Sequence, residues 1–278
     1  MRIFVTGATG FIGSHLLAKL SEVPHVVLAH RLHGTTTCID TGCEPIWFEK
    51  SMDSLDEHDL AGVEVLVHLA SVGVSPRVAT WQELFYWNVS VLLHLLEIAK
   101  KAGVLRVVIS GSFAEYGRSA DLYDRIPPGA PLEPTSAYAA SKAAGYIASR
   151  AFAIENQIEL CYLRIFSVYG EGQYHGNFWP ALRSAALGGH DFPMSPGEQI
   201  RDYIPVEDVA AALLFGALRR DVLPGNPLVL NVGTGSPVSM RQFAERWWGL
   251  WGAKGKLLPG ALPYRPNEPM RFVPLVEP

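Results

Sequence analysis

The chain reads as an α/β protein: a doubly wound parallel sheet with a smaller C-terminal substrate-binding lobe. Three observations predict this. Short apolar, β-branched runs alternate with helix-length amphipathic segments over the first two thirds of the 278 residues. Most of those runs are apolar on both sides, as strands covered on both faces must be. A glycine-rich turn joins the first run to the first helix.

The predicted strands are residues 3–6, 26–29, 45–48, 65–69, 106–110 and 160–166. The clearest helix is 81–101, where Trp81, Leu84, Phe85, Asn88, Leu92, Leu95, Leu96 and Ala99 recur at helical spacing. Lys100 and Lys101 suit its last turn and Gly103 ends it. After about residue 170 the texture changes, with Tyr169-Gly170-Glu171-Gly172 and then Asn177-Phe178-Trp179-Pro180. A helix at 206–218, a strand at 228–232 and a helix at 239–251 follow, and 259–278 is proline-rich and mostly irregular, without a final helix. The expected division is a dinucleotide-binding domain over 1–168 and a substrate-binding lobe over 169–278, with crossings back to the first domain at about 200–232.

Composition narrows the function. Forty-nine per cent of residues are hydrophobic and the net charge is -4, which argues against a nucleic-acid or anionic-membrane binder. No apolar run reaches the ~18 to 20 residues that span a bilayer. Met1-Arg2 leads straight into a strand pattern without signal-peptide anatomy. Three cysteines (Cys38, Cys43 and Cys161) make no disulfide framework and point to a reducing, cytoplasmic setting. No Cys/His set has metal-ligand spacing, so no metal is expected.

The first strand runs into Gly7-Ala8-Thr9-Gly10-Phe11-Ile12-Gly13, and Ser14-His15-Leu16-Leu17 begins a helix. Glycines at such a turn let a phosphate approach the backbone, and the helix N-terminus offers free N–H donors. The reading is a Rossmann-like dinucleotide site, with Gly7, Thr9, Gly10, Phe11, Ile12 and Gly13 against the cofactor. The second strand ends in His30-Arg31, 18 residues after Gly13, with no acid next to the arginine in sequence. A guanidinium there suits a ribose 2′-phosphate, so NADP(H) is favoured over NAD(H).

Tyr138 and Lys142 stand four residues apart, on one face of a helix. A lysine cation and a cofactor's positive ring would lower the phenol's pKa into a useful range. The small residues that follow, Ala143 to Ala148 apart from Tyr146 and Ile147, suit close packing against the sheet or against a partner's helix. The fifth strand delivers Ser110-Gly111-Ser112 to the carboxyl edge of the sheet, where Ser112 can donate to a substrate oxygen. Ser112, Tyr138 and Lys142 together form a ketone/alcohol redox site.

A wider set of segments stands in one order: Gly7 to Gly13, His68-Leu69-Ala70, Asn88-Val89, Ser112 to Tyr116-Gly117, Tyr138 to Lys142, Arg164 to Gly170, Arg201 to Val209 and Asn231 to Gly235. Over nearly the whole chain the sequence resembles the extended short-chain dehydrogenases/reductases, in their nucleotide-sugar epimerase/dehydratase/reductase branch. The resemblance implies that Ser112, Tyr138 and Lys142 are catalytic. It also implies that the glycine loop, His30, Arg31, Leu69, Ala70, Asn88 and Ser110 surround the cofactor. Asn177, Arg201 and Arg265 match residues that hold a nucleotide diphosphate. It implies a nucleotide-diphosphate sugar as substrate, and a homodimer through a four-helix bundle of helices 81–101 and 138–152. There are departures: the segment Glu49-Lys50-Ser51-Met52-Asp53 leaves the adenine-binding acid undefined, Ser167 stands where asparagine is usual, and the chain is short at its C-terminus.

Three chemistries share such a scaffold. Dehydratases of this family carry carboxylates directly after the serine, where this chain has Phe113 and Ala114. Glu115 comes one step late, so dehydration is set aside. Arg31 favours consumption of NADPH, and the expectation is reduction of a nucleotide-linked 4-keto-(6-deoxy)sugar. The alternatives are a 4-epimerase with bound NAD and a non-enzymatic NADP-binding sensor or assembly protein.

Overall fold

The computed structural model describes all residues except 75, 77, 266, 267, 277 and 278. Its elements run β1 (Arg2–Thr6), α1 (Phe11–Ser21), β2 (Val26–His30), β3 (Ile46–Phe48), β4 (Val65–His68), α2 (Trp81–Phe85), α3 (Val91–Lys101), β5 (Arg106–Ser112), α4 (Ala137–Glu155) and β6 (Glu159–Ile165). There follow β7 (Ser167–Tyr169), α5 (Phe178–Gly188), β8 (Phe192–Met194), β9 (Ile200–Pro205), α6 (Val206–Leu218), β10 (Leu228–Val232), β11 (Pro237–Ser239), α7 (Met240–Leu250), β12 (Leu257–Pro259) and β13 (Arg271–Phe272).

Seven parallel strands form the main sheet in the order β10-β6-β5-β4-β1-β2-β3. The order reverses between β1 and β4, which opens a crevice at the carboxyl ends of the strands. Alternate residues of each strand serve opposite faces. Ile3 and Val5 join Leu16, Leu17 and Leu20 of α1 and Val209 and Leu213 of α6. Phe4 faces the other way, with Leu92, Leu95 and Leu96 of α3. Burial on both faces is the reason these strands read as continuous apolar runs.

Helix 81–101 holds a feature that periodicity did not predict. A π-helical turn, Tyr86–Ser90, separates α2 from α3. The reason lies across the interface, at Gly145 of α4: a Cβ there would come within 2.7 Å of the Asn88 carbonyl oxygen. The glycine lets the widened turn press against α4, and the small residues of α4 are used inside the chain at this point. Leu84 and Asn88 are buried, whereas Trp81 is 58% exposed and stacks on Phe85 outside the core.

The smaller sheet centres on β9, which pairs with β7 and β13 in parallel and with β11 antiparallel. β8 and β12 form a separate parallel pair. An aromatic cluster of Tyr169, Trp179, Phe243, Trp247 and Trp251 fills the space beneath α5 and α7. Within the irregular C-terminal stretch, β13 is the piece that joins β9. Among the described residues no helix is long and apolar enough to cross a membrane.

Candidate active site

The crevice is a cleft of about 730 Å³. The glycine loop with Thr9, Phe11 and Ile12 forms its floor, and His30 and Arg31 close one end. Leu69, Ala70 and Asn88, with Ser110, Ser112, Tyr138 and Lys142, make up its wall. Asn177 lies at the far end, as the N-cap of α5 with no side-chain cap bond.

The loop has the shape of a phosphate cradle. Gly7 has φ +69°, and a Cβ on it would sit 2.6 Å from the Ala70 nitrogen. A Cβ on Gly13 would sit 2.1 Å from the Gly7 carbonyl oxygen. Gly10 caps α1 with extended backbone and contributes no side-chain hydrogen bond to the helix N-terminus. Leu69 and Ala70 follow β4 over Gly7, and the Thr6 Oγ1 accepts from the Ala70 N–H at 3.4 Å.

Asn88 ties the wall together. Its Oδ1 accepts from the Val72 N–H at 2.9 Å and the Ser71 hydroxyl at 3.2 Å, while its Nδ2 donates to Ser141 Oγ at 3.0 Å. That links the loop after β4 to the helix carrying Tyr138. Ser71 was missed in the sequence although it stands just past a strand's carboxyl end, and it hydrogen-bonds Tyr138. Gln173 and Tyr174 of the cleft lining were also missed. They lie in a loop with no periodicity to mark it.

Ser112, Tyr138 and Lys142 meet in this cleft. Ser136 caps α4 by accepting from the Ala139 N–H, which puts Tyr138 in the first turn and Lys142 one turn later on the same face. Tyr138 hydrogen-bonds Ser112. Lys142 is buried and donates to the Ser110 carbonyl at 2.7 Å. The expected lowering of the Tyr138 pKa does not arise within the protein itself. Burial pushes the phenol up to about 12, with the Ser112 and Ser71 hydrogen bonds acting in the other direction. Burial also lowers the Lys142 ammonium, against an opposing pull from Glu115. Lys142 faces a carbonyl, and among the described residues no cation offsets the desolvation of the phenolate.

The three arginines singled out in the sequence are placed as follows. Arg31 has no acid beside it in sequence, but in space it pairs with Glu49, just past the end of β3, and stacks over Trp47 at 4.6 Å. His33 donates to the same carboxylate at 2.9 Å, and the two together hold Glu49 below the usual carboxylate range. Arg201 is buried away from the cleft lining, with its guanidinium bonded to Glu268 at 3.0 Å and to the Pro269 carbonyl at 2.6 Å. Arg265 is exposed and also lies outside the cleft lining. His30 faces the cleft but gives its Nε2 to the Lys50 carbonyl at 2.7 Å, and burial lowers its pKa. Among the described residues no His/Cys/Asp/Glu group could hold a metal.

A glycine turn at a helix N-terminus, a buried lysine and a serine–tyrosine pair on one Rossmann-like crevice are the features of a dinucleotide-dependent enzyme class. The chain belongs to the NAD dependent epimerase/dehydratase family, whose model matches residues 3–233. This is the extended short-chain dehydrogenase/reductase group that the motifs resembled. A UDP-glucose 4-epimerase of Corynebacterium glutamicum is 28% identical over 265 residues, covering 88% of this chain and 79% of that protein. MoeE5, solved in complex with UDP-glucuronic acid and NAD, is 31% identical with a TM-score of 0.86, over 99% of this chain and 90% of that one. TunA, described as an NAD-dependent NDP-hexosamine 5,6-dehydratase of tunicamycin biosynthesis, is 29% identical with a TM-score of 0.82, over 99% and 88% of the two chains.

Proposed function

We propose that the protein is an NAD(H)-dependent nucleotide-sugar 4-epimerase acting on a UDP-hexose. The observation that carries this reading is the wall of the cleft: Ser112, Tyr138 and Lys142 are together, and Phe113 and Ala114 stand where a dehydratase has carboxylates. Glu115, the nearest acid, has both oxygens engaged by Ser112, Tyr162 and Arg164. The similarity to UDP-glucose 4-epimerases and to a UDP-sugar complex supports the same reading.

The residues fit a dinucleotide, because the missing Cβ atoms at Gly7 and Gly13 let the turn close tightly on itself and on the Ala70 backbone, with the N-terminus of α1 at the cleft. When bound, the nicotinamide supplies reversible oxidation at the sugar carbon. Tyr138 takes the proton of the sugar hydroxyl and later returns it. Ser112 donates to the same oxygen and keeps it near the phenol. Lys142 holds the ribose side of the cofactor from its seat below the Ser110 carbonyl. The sugar presents its other face before the proton returns, so the cleft must be open enough for it to turn.

The second reading, an NADPH-consuming 4-ketoreductase of a 4-keto-6-deoxysugar, is favoured by Arg31. Against it, Glu49 already neutralises that guanidinium, and a 2′-phosphate would have to displace a carboxylate. The structural neighbours with 31% identity hold NAD. Incubation with UDP-glucose and NAD, with product identified by chromatography, tests the first reading. Net NADPH oxidation with a 4-ketosugar, and no interconversion of UDP-hexoses, would replace it with the second. Tyr138→Phe should retain coenzyme binding and lose about 10²- to 10⁴-fold in turnover. Coenzyme binding without turnover of any nucleotide sugar would favour a sensor.

The homodimer belongs to the same proposal. Trp81 at 58% and Ile147 at 61% exposure offer apolar surface on the two helical segments that would pair. Light scattering should return twice the chain mass, and a monomer mass at micromolar concentration would dismiss it.

A further inference from the structure

We propose that Glu115 is the positioning residue of this site, fixing Ser112 against Tyr138 through a buried Glu115–Tyr162–Arg164 cluster beneath the cleft. The proposal rests on the epimerase reading for its turnover assay and on geometry for the rest.

Glu115 is 0% exposed and Arg164 1%. A carboxylate so buried requires partners for both oxygens. Oε1 accepts from the Ser112 backbone N–H at 2.7 Å and from the Tyr162 hydroxyl at 2.8 Å. Oε2 accepts from Arg164 Nε at 2.7 Å. In return, the Ser112 hydroxyl oxygen accepts from the Ala114 N–H at 3.2 Å, and the turn Phe113–Tyr116 is closed from both ends. The Ser112 hydroxyl therefore sits on a backbone whose N–H is held by a charged acceptor.

The cluster also reaches the other half of the site. Tyr146, one turn beyond Lys142 on α4, packs tilted against Tyr162 at 4.7 Å between centroids and covers the Arg164 guanidinium at 4.3 Å. Arg164 donates further to the Pro128 carbonyl at 2.9 Å. One set of contacts thus spans the Ser112 turn and the helix that carries Tyr138 and Lys142. Gly111 makes room for it: a Cβ there would lie 2.9 Å from Glu115 Oε1 and 2.2 Å from the Tyr162 ring.

The test compares wild type, Glu115→Gln, Tyr162→Phe, Ser112→Ala and each of the first two combined with Ser112→Ala. Turnover of a UDP-hexose and NADH affinity are measured. Glu115→Gln should lower kcat about tenfold and Tyr162→Phe about threefold, with KM and NADH affinity within about twofold of wild type. In the Ser112→Ala background each should cost less than about twofold, because a residue acting through Ser112 has nothing left to position. Full losses in that background, or an unchanged kcat, would overturn the proposal. If Glu115→Gln fails to fold with Arg164 left unpaired, Tyr162→Phe carries the same cycle. If the wild type turns over no nucleotide sugar, the reaction reading fails by itself. The positioning is then read from a crystal structure of Tyr162→Phe. Movement of Ser112 Oγ from Tyr138 by about 0.5 Å or more supports it, and an unmoved serine overturns it.

Discussion

Replacing Gly13 by alanine tests the phosphate cradle directly. The new Cβ would lie 2.1 Å from the Gly7 carbonyl oxygen and 2.8 Å from the Ala8 Cα. Both are backbone atoms, so no side-chain rotation relieves the contact. Restoring ordinary separation needs an opening of about 1.3 Å between α1 and the loop, given that contact is ordinary from 3.4 Å. Overpacking of this kind costs about 1 to 3 kcal/mol, which for a chain of this size lowers Tm by roughly 2 to 10 °C. Binding should suffer more than stability, because about 1 Å of misplacement can cost on the order of 100-fold. Gly10→Ala is the control for stability: its nearest neighbour is 3.2 Å away and its φ of -74° suits any residue. Calorimetry and NADH fluorescence titration on both variants give the comparison. If Gly13→Ala binds NADH like the wild type, the loop does not carry the pyrophosphate and the reasoning is wrong.

Other predictions follow from charge and burial. Glu49→Gln should release Arg31 and raise NADPH affinity about five- to tenfold while NADH stays within about twofold, as isothermal titration would show. Equal effects on both would remove Arg31 from the coenzyme site. Stability should fall as pH rises above about 9. Burial pushes the Cys161 thiol up to about 11 and the Tyr138 and Tyr203 phenols up to about 12, so the native state holds protons that the unfolded chain has lost. Cys161→Ala should delay the onset by about one pH unit in urea melts, to where tyrosines begin to titrate when unfolded. On the acid side, buried His68 is lowered to about 3, so stability should decline as pH falls below about 6.5. Stability that rises between pH 6 and 4 would contradict this.

Much of the fold was legible because its signals are local. The strand β10 and the helix α6 have the bounds that periodicity predicts. The glycine turn, Ser112 at a strand end, and the helical spacing of Tyr138 and Lys142 are likewise short-range patterns, and the cleft contains them all. The π turn at Tyr86–Ser90 was not legible, since it answers to Gly145 on another helix. Nor were the partners of the charges. Arg31 reads as a free cation until Glu49 arrives from the next strand over, and the pairing of Arg201 with Glu268 brings in an acid from the chain's far end.

By itself, the sequence determined where the backbone turns, which faces are apolar and which side chains reach the carboxyl edge of the sheet. Those follow from periodicity and from the conformational range of glycine. The tertiary structure alone decided the electrical state of the site: which arginines are already paired, which carboxylate lies beneath the serine, and how far the phenol is desolvated. Coulomb and desolvation effects depend on distance through space, and residues 18, 49 and 67 positions apart in the chain become neighbours only on folding.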